Sequence, residues 1–204
     1  MNTRCCQPVD AVPVNNRRYR RVLWVALLIN AVMFLVEIVT GMIAGSVSLQ
    51  ADALDFLADA ANYGISLFVL SAVLSFRAKA SLFKGATMLL FGIWVAGSTA
   101  WHAWQGTVPD VATMGIVGLA ALLANLTVLL LLWAYREGDS NMRSVWLCSR
   151  NDVIGNVAIL LAALGVFGTG TGWPDVIVAA IMSVLAVHSG GTIVSLARQE
   201  MRIP

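Results

Sequence analysis

Six apolar stretches, each long enough to cross a lipid bilayer, dominate this sequence. The hydrocarbon core of a bilayer is about 30 Å thick, and an α-helix needs roughly 20 apolar residues to cross it. The stretches predict membrane-spanning helices over residues 22–44, 50–76, 82–104, 111–135, 144–168 and 174–197. Short connections separate them, so we expect an all-α membrane protein with six transmembrane helices over residues 17–204, preceded by a mobile arm over residues 1–16.

The composition agrees with a protein embedded in lipid. Hydrophobic residues make up 59% of the 204 residues and charged residues only 12%, whereas soluble domains carry about 25% charge. A net charge of +2 gives no indication of nucleic-acid binding. The three cysteines, Cys5, Cys6 and Cys148, form no spaced disulfide framework. No nucleophile–base set or cofactor fingerprint is present, so we do not expect an enzyme.

The basic residues predict the orientation in the membrane. Twelve of the 13 Lys and Arg residues precede span one, lie between spans two and three or four and five, or follow span six. The loops near 45–49, 105–110 and 169–173 contain none. The positive-inside rule therefore places both termini in the cytoplasm and the chain in the cell membrane (an inner or plasma membrane). The thirteenth basic residue, Arg150, falls inside span five, and we expect its side chain to snorkel or to pair elsewhere.

Carboxylates within the spans are the strongest functional signal. Glu37, Asp52, Asp55, Asp59 and Asp152 all lie at membrane depth, where each costs about 2.5–3.5 kcal/mol on insertion scales and is a candidate functional group. At 100° per residue, the three aspartates of span two share one face of the helix. A second polar stripe runs along span five through Cys148, Asp152 and Asn156. We expect the two stripes to face each other.

Such stripes fit a metal cation. Crowded carboxylates repel one another until protons or a cation neutralise them, and the pairs Asp55 with Asp59 and Cys148 with Asp152 are each spaced by one helical turn. Four oxygen and sulfur ligands from two helices suit the tetrahedral preference of Zn²⁺. The alternative is that these residues only pack helices through hydrogen bonds. Counting from the predicted span centres puts Asp59 and Asp152 on the order of 10 Å apart along the membrane normal, which would disrupt the site.

Other polar residues have competing interpretations. Glu37 fits either a proton carrier or the partner of another polar group. We expect His102, which lies between two tryptophans, to belong to an interfacial aromatic belt. His188 is followed by Ser-Gly-Gly, which favours a helix-packing role.

The stretch from Asn30 to Asn62, which contains Gly-Ser and Ala-Asp-Ala segments and the Asp55/Asp59 pair, resembles the first two spans of the cation diffusion facilitators. Residues 142–156, MRSVWLCSRNDVIGN, resemble the fifth span of that family, with Cys148 and Asp152 at the positions of its His-xxx-Asp pair. The resemblance covers about residues 17–204. It implies efflux of divalent metal ions coupled to an inward flow of protons.

Two departures from the family bear on this expectation. Zn²⁺ is the expected cargo. Because Cys148 stands where the family usually has histidine, Cd²⁺, Co²⁺, Fe²⁺ and Mn²⁺ stay open as alternatives. The family's cytoplasmic metal-binding domain does not follow span six, so we expect a short form, for which a homodimer is one assembly that the resemblance allows. A membrane metal sensor or an accessory subunit that does not transport alone is the alternative function.

Overall fold

A computed structural model describes residues 17–68, 74–136 and 140–201, and all regular structure within these ranges is helical. The helices are α1 (Arg17–Ala44), α2 (Val47–Phe68), α3 (Leu74–Gln105), α4 (Val111–Leu132, continued by the 3-10 turn Trp133–Tyr135), α5 (Ser140–Thr169) and α6 (Trp173–Glu200). The six-helix, all-α fold is therefore confirmed. The predicted arm over residues 1–16, with Cys5 and Cys6, lies outside the described residues.

Several helices extend beyond their predicted spans. Helix α3 begins at Leu74, so residues 74–76, predicted as the end of span two, belong to its first turn, and the predicted connection between spans two and three is also helical. Helix α5 begins at Ser140 rather than at 144. Hydropathy marks the part of a helix inside the hydrocarbon, while Arg, Lys and Ala continue a helix readily beyond it. With the observed bounds, Asp59 and Asp152 lie close to the midpoints of α2 and α5. Both are displaced slightly toward the same end of the bundle, away from the α1–α2 and α5–α6 connections. The predicted offset between them is wrong.

Helix α2 differs from the other helices in composition. Five of the helices in the described ranges are long and apolar enough to cross a membrane by themselves, and α2 is not among them. It carries Asp52, Asp55 and Asp59 within 22 residues. Its neighbours α1, α3, α5 and α6 surround it, so its polar groups are buried in protein rather than placed against lipid. An acidic helix is tolerated at membrane depth under this condition.

The remaining helices enclose α2 and give their apolar faces to the outside. Helix α1 packs along α2, α3 along α6, and α4 along α5. Exposed residues of these outer helices are large and aliphatic, for example Leu28 on α1, Leu90 on α3, Leu130 on α4 and Leu161 on α5. A surface of this kind is compatible with lipid tails and would be unusual in water.

Helices α3 and α6 approach each other closely through two glycines. A Cβ on Gly85 would lie 3.0 Å from the backbone nitrogen of Val194, and a Cβ on Gly190 would lie 3.0 Å from that of Leu89. Small residues allow membrane helices to pack backbone against backbone, and van der Waals contact then stabilises the pair. The α3–α6 pair is therefore a tightly packed unit against which α2 lies.

The connections α1–α2, α3–α4 and α5–α6 meet at one end of the bundle, which we call the turn end. The Asp110 backbone N–H donates to the Ala44 carbonyl at 2.9 Å, and Gly172 lies so close to the Thr107 carbonyl that no Cβ would fit there. Asp110 also caps α4 by accepting from the Thr113 N–H at 2.8 Å, and the hydrogen bonds from Thr113 hold the pKa of this carboxyl below its usual range. The three turns form one interlocked layer.

A carboxylate from α6 caps the start of α2 at the turn end. Asp175 accepts from the Ser46 hydroxyl at 2.8 Å, the Val47 N–H at 2.8 Å, and the Ser48 N–H and hydroxyl at 3.1 and 2.5 Å. Gly45 turns the chain into this cap with φ of 67°, a conformation that glycine adopts without steric cost. An acceptor at a helix N-terminus satisfies unpaired N–H groups and complements the helix dipole, so Asp175 joins α6 to α2.

Candidate metal centre

The polar stripes of α2 and α5 face each other in the middle of the bundle. The carboxyl groups of Asp59 on α2 and Asp152 on α5 lie within hydrogen-bonding distance. The Tyr63 hydroxyl donates to Asp59 at 3.1 Å and lies 3.1 Å from the Ser149 hydroxyl. These four residues, Asp59, Tyr63, Ser149 and Asp152, form what we call the central layer. The carboxyl oxygens of two helices thus converge on a point that an ion could occupy.

The other two predicted ligands flank the central layer. Cys148 is buried on α5, one helical turn from Asp152. Asp55 is half-buried on α2 and lies close enough to Glu37 for their charges to interact. Within the described part of the chain, no three His, Cys, Asp or Glu side chains converge closely enough to hold a metal ion. The structure therefore brings Asp59 and Asp152 together and leaves Asp55 and Cys148 one turn to either side.

A second set of buried polar groups lies nearer the turn end. Asn156 of α5 donates to Asp52 of α2 at 2.5 Å, and Asn125 of α4 donates to Asn156 at 2.9 Å. Glu37 of α1 lies at hydrogen-bonding distance from Asp52. We call Glu37, Asp52, Asn125 and Asn156 the turn-side layer. All four side chains are at most 3% exposed, and the hydrogen bonds among Asp52, Asn125 and Asn156 replace those that these three would make with water.

Glu37 is the least satisfied member of the turn-side layer. It is fully buried, and neither of its carboxyl oxygens accepts a hydrogen bond from a donor in the described residues. The group that it faces is another carboxyl, that of Asp52. Two carboxylates this close repel strongly in a low-dielectric environment, and a proton or a cation between them would relieve that repulsion. The contact with Asp52 agrees with the interpretation of Glu37 as the partner of another polar group.

Lys84 is a polar residue of the bundle interior that sequence reasoning assigned to a loop. Its basic charge was counted with the connection between spans two and three, but it lies on α3 and is 6% exposed. Its amine donates to the Asn62 side-chain oxygen, and its charge acts on Asp59. The predicted span 82–104 already contained Lys84. A lysine inside an apolar run was the signal that could have identified it.

Three uncharged polar residues were also missed by sequence reasoning. Tyr63 follows Asp59 by one turn and Ser149 precedes Asp152 by one turn, so both extend the predicted stripes. Asn125 lies on α4, for which no stripe was predicted. The helical spacing could have identified Tyr63 and Ser149. An isolated Asn in an apolar helix indicates a polar contact but does not specify its partner.

The remaining singled-out residues lie away from the two layers. The Nδ1–H of His102 donates a 3.1 Å hydrogen bond to the Gly45 carbonyl, so His102 contacts the α1–α2 turn, and its place in an aromatic belt stays a prediction. His188 itself is exposed on α6, whereas Gly190, two residues later, makes the close contact with α3, so the packing role belongs to the glycine and not to the histidine. Arg150 is exposed, and its guanidinium lies 5.8 Å from the centre of the Trp146 ring. This cation–π contact agrees with the second of the two expectations for Arg150, pairing with a group other than Asp152.

Comparison with known proteins gives a consistent set of relatives. A cadmium, cobalt and zinc/H(+)-K(+) antiporter of Bacillus subtilis is 23% identical over 195 residues, which is 86% of this chain and 61% of the relative. The zinc transporter ZitB of Escherichia coli K12 is 28% identical over 186 residues, which is 83% of this chain and 58% of the relative. The metal cation efflux system protein CzcD of Cupriavidus metallidurans is 22% identical over 178 residues, or 80% and 56%.

The chain thus spans 56–61% of the length of these relatives. The match covers the membrane helices and both polar layers. The model of the cation efflux transmembrane domain matches residues 23–201, which extend from α1 to the end of α6. This chain is a member of the cation efflux transmembrane domain family.

Proposed function

We propose that this chain moves divalent metal cations across the membrane, out of the cytoplasm and in exchange for protons. The observation that carries the proposal is the meeting of the Asp59 and Asp152 carboxyl groups, from two different helices, in the middle of a membrane bundle. The cost of two buried acids is offset when they bind a cation. The relatives, named as transporters and efflux proteins for zinc, cadmium and cobalt, support the same assignment.

The proposed ligands of the metal are Asp55, Asp59, Cys148 and Asp152. Asp59 and Asp152 form the pre-assembled half of the site, and Cys148 and Asp55 each lie one helical turn away on α5 and α2. Because Asp55 and Cys148 lie on opposite sides of the central layer, closure on one ion requires α2 and α5 to shift past each other by about one helical turn, roughly 5 Å. Three carboxylates and a thiolate favour Zn²⁺ or Cd²⁺ over Mg²⁺ and Mn²⁺, because sulfur is a soft ligand.

The proposed proton carriers are the same acids and the turn-side layer. Ligands must lose their protons before they bind a metal, so metal and protons compete at the central layer. The Glu37–Asp52 pair holds a proton or cation between its two carboxyls whenever no other charge compensates it. It lies one to two turns from the central layer toward the turn end. In the proposed orientation, the pair therefore lies between the metal centre and the outer face.

The proposed orientation places the turn end outside the cytoplasm. The three connections of the turn end, within 45–46, 106–110 and 170–172, contain no Lys or Arg. The positive-inside rule then gives a cytoplasmic location for the ends of the chain, and metal that leaves past the turn-side layer is exported. Reporter fusions at both termini are expected to score as cytoplasmic. An externally accessible terminus would reverse the proposed direction.

Transport by the purified chain in liposomes tests the main proposal. With an acidic interior and an alkaline exterior, Zn²⁺ added outside should enter the vesicles and be detected by an encapsulated zinc indicator. Collapse of the pH gradient with a proton ionophore should slow uptake, because proton exit no longer drives metal entry. Empty liposomes and vesicles with Asp59→Asn protein are the matched controls. Metal binding without uptake under any gradient would reject transport by this chain.

The metal preference is tested at Cys148. In Cys148→Ser, the soft sulfur ligand becomes a hard oxygen of similar size, so Cd²⁺ affinity should fall by about tenfold while Mn²⁺ affinity stays nearly unchanged. Cys148→His should retain Zn²⁺ transport, since imidazole is also a good zinc ligand. Isothermal titration with both metals measures the difference. Equal Cd²⁺ affinity in wild type and Cys148→Ser would remove Cys148 from the ligand set.

A further inference from the structure

Lys84 is a buried cation with defined partners beside the central layer. Its side chain is 6% exposed, its amine donates to the Asn62 side-chain oxygen of α2, and its charge acts on Asp59. Asn62 follows Asp59 by three residues, so both lie on the same face of α2. Lys84 of α3 contacts this face. The ammonium group is therefore held within the field of one proposed metal ligand.

A membrane-anchoring role does not account for this placement. Lysines near helix ends commonly extend toward lipid head groups, with the amine in water. Lys79, on the same helix and five residues earlier, is exposed and fits that description. Lys84 instead buries its amine against α2, although a charge inside a membrane protein is costly unless it is compensated. In the described structure, Asn62 and the nearby Asp59 carboxyl contribute to this compensation.

We propose that the Lys84 ammonium is a tethered counter-cation of the metal centre, which balances Asp59 while the metal is absent and withdraws when the metal binds. The inference rests on the proposed function, because it assigns a competitor to the proposed cargo. A divalent ion between Asp59 and Asp152 repels a nearby ammonium. The four-carbon side chain of lysine can move such a point charge by several Å without moving α3.

The consequence for transport is a limit on affinity. A site of carboxylates and a thiolate without an opposing charge would hold Zn²⁺ tightly and release it slowly. A cation that returns to Asp59 as the metal departs lowers the cost of the empty state. Lys84 therefore favours release and sets the metal affinity, without being a ligand itself. It acts as a positioning residue through charge.

Metal titration of the full chain in detergent, at one fixed pH, tests this role. Lys84→Gln should bind Zn²⁺ and Cd²⁺ about tenfold more tightly than wild type, because one repelling charge is removed. The matched control is Lys79→Gln, which removes the same charge from an exposed position of α3 and should leave both affinities unchanged. Unchanged or weaker binding by Lys84→Gln that is folded, judged by gel filtration and circular dichroism, would overturn the proposal.

A metal-free measurement decides the charge balance separately. In EDTA, thermal unfolding of Asp59→Asn, Lys84→Gln and the double variant forms a double-mutant cycle. If the two charges balance each other, the double variant should have a Tm several degrees above the value predicted by adding the Tm shifts of the two single variants. Additive shifts would overturn the proposal whether or not metal binds. A wild-type chain that binds no metal would overturn the proposed function alone, since the cycle still decides the Lys84–Asp59 interaction.

Discussion

Two buried aspartates, Asp175 at the turn end and Asp59 in the central layer, show opposite ways of placing a carboxylate in this bundle. Both are at most 6% exposed. Asp175 accepts four hydrogen bonds from Ser46, Val47 and Ser48. Asp59 accepts one from Tyr63 and otherwise faces the carboxyl of Asp152 and the charge of Lys84.

We interpret the difference as that between a structural acid, Asp175, and the metal ligand that we propose at Asp59. The oxygens of Asp175 are occupied by fixed donors, so this residue has little capacity left for a ligand and stabilises the contact between α6 and α2. Asp59 has a single neutral donor and charged neighbours, which makes it costly without a bound cation and responsive to one. Burial alone does not distinguish the two roles, whereas the number of fixed donors does.

The largest expected effect comes from removal of a central carboxylate. Asp59→Ala and Asp152→Ala should each bring metal transport below detection, because each deletes a charged ligand that no neighbour replaces. Both variants should remain folded in the membrane, since the loss relieves repulsion between the two carboxyls. The liposome uptake assay, normalised to protein incorporated, measures the change. Near-normal transport by either variant would assign that acid to helix packing.

A smaller, purely structural effect is expected at the turn end. Asp175→Ala leaves the first N–H groups of α2 and two serine hydroxyls without their acceptor, and it should reduce stability by about 2–4 kcal/mol. Thermal unfolding in detergent would register this as a lower Tm. Asp110→Ala, which removes an exposed cap from α4, is the comparison variant and should lower the Tm by less. A Tm for Asp175→Ala equal to that of wild type would mean that water replaces the carboxylate.

The mildest effect is expected for Asp52, which shares features of Asp175 and of Asp59. It accepts one strong hydrogen bond from Asn156 and also faces the carboxyl of Glu37. Asp52→Ala should slow transport by about tenfold, as for outer partners of metal ligands, with metal affinity nearly retained. Initial uptake rates and titrations on the same preparation separate the two quantities. A complete loss of metal binding would place Asp52 among the ligands instead.

Most of the fold followed from hydropathy because a bilayer imposes a simple rule on the chain. Each apolar run must be helical to satisfy its backbone, and its length is set by the membrane thickness. Residues outside the hydrocarbon are free of that rule. This is why the start of α3 at Leu74 and the start of α5 at Ser140 extended past the predicted spans.

The residues of the site were predictable only where the spacing of polar residues along a helix identifies them. The polar stripes predict Asp59 and Asp152 as ligands, and the facing of α2 and α5 brings the two carboxyls together. Lys84 was assigned to a loop because the positive-inside rule counts charges and does not test whether a lysine is buried. Asp175 received no role, since its partners are 127 to 129 residues away along the chain. Pairings over such distances depend on packing that one sequence does not reveal.

The cap that Asp175 places on α2 also has a consequence for biogenesis. Helix α2 is the one described helix that is too acidic to count as a membrane span by composition, and its cap comes from α6, which leaves the ribosome last among the described helices. During synthesis, α2 is therefore expected to lack the Asp175 carboxylate at its first turn, and its acids are not yet enclosed by their final neighbours. We therefore expect the stable insertion of α2 to depend on the insertion of α6. A defect in α6 should then leave α2 exposed to membrane quality-control proteases.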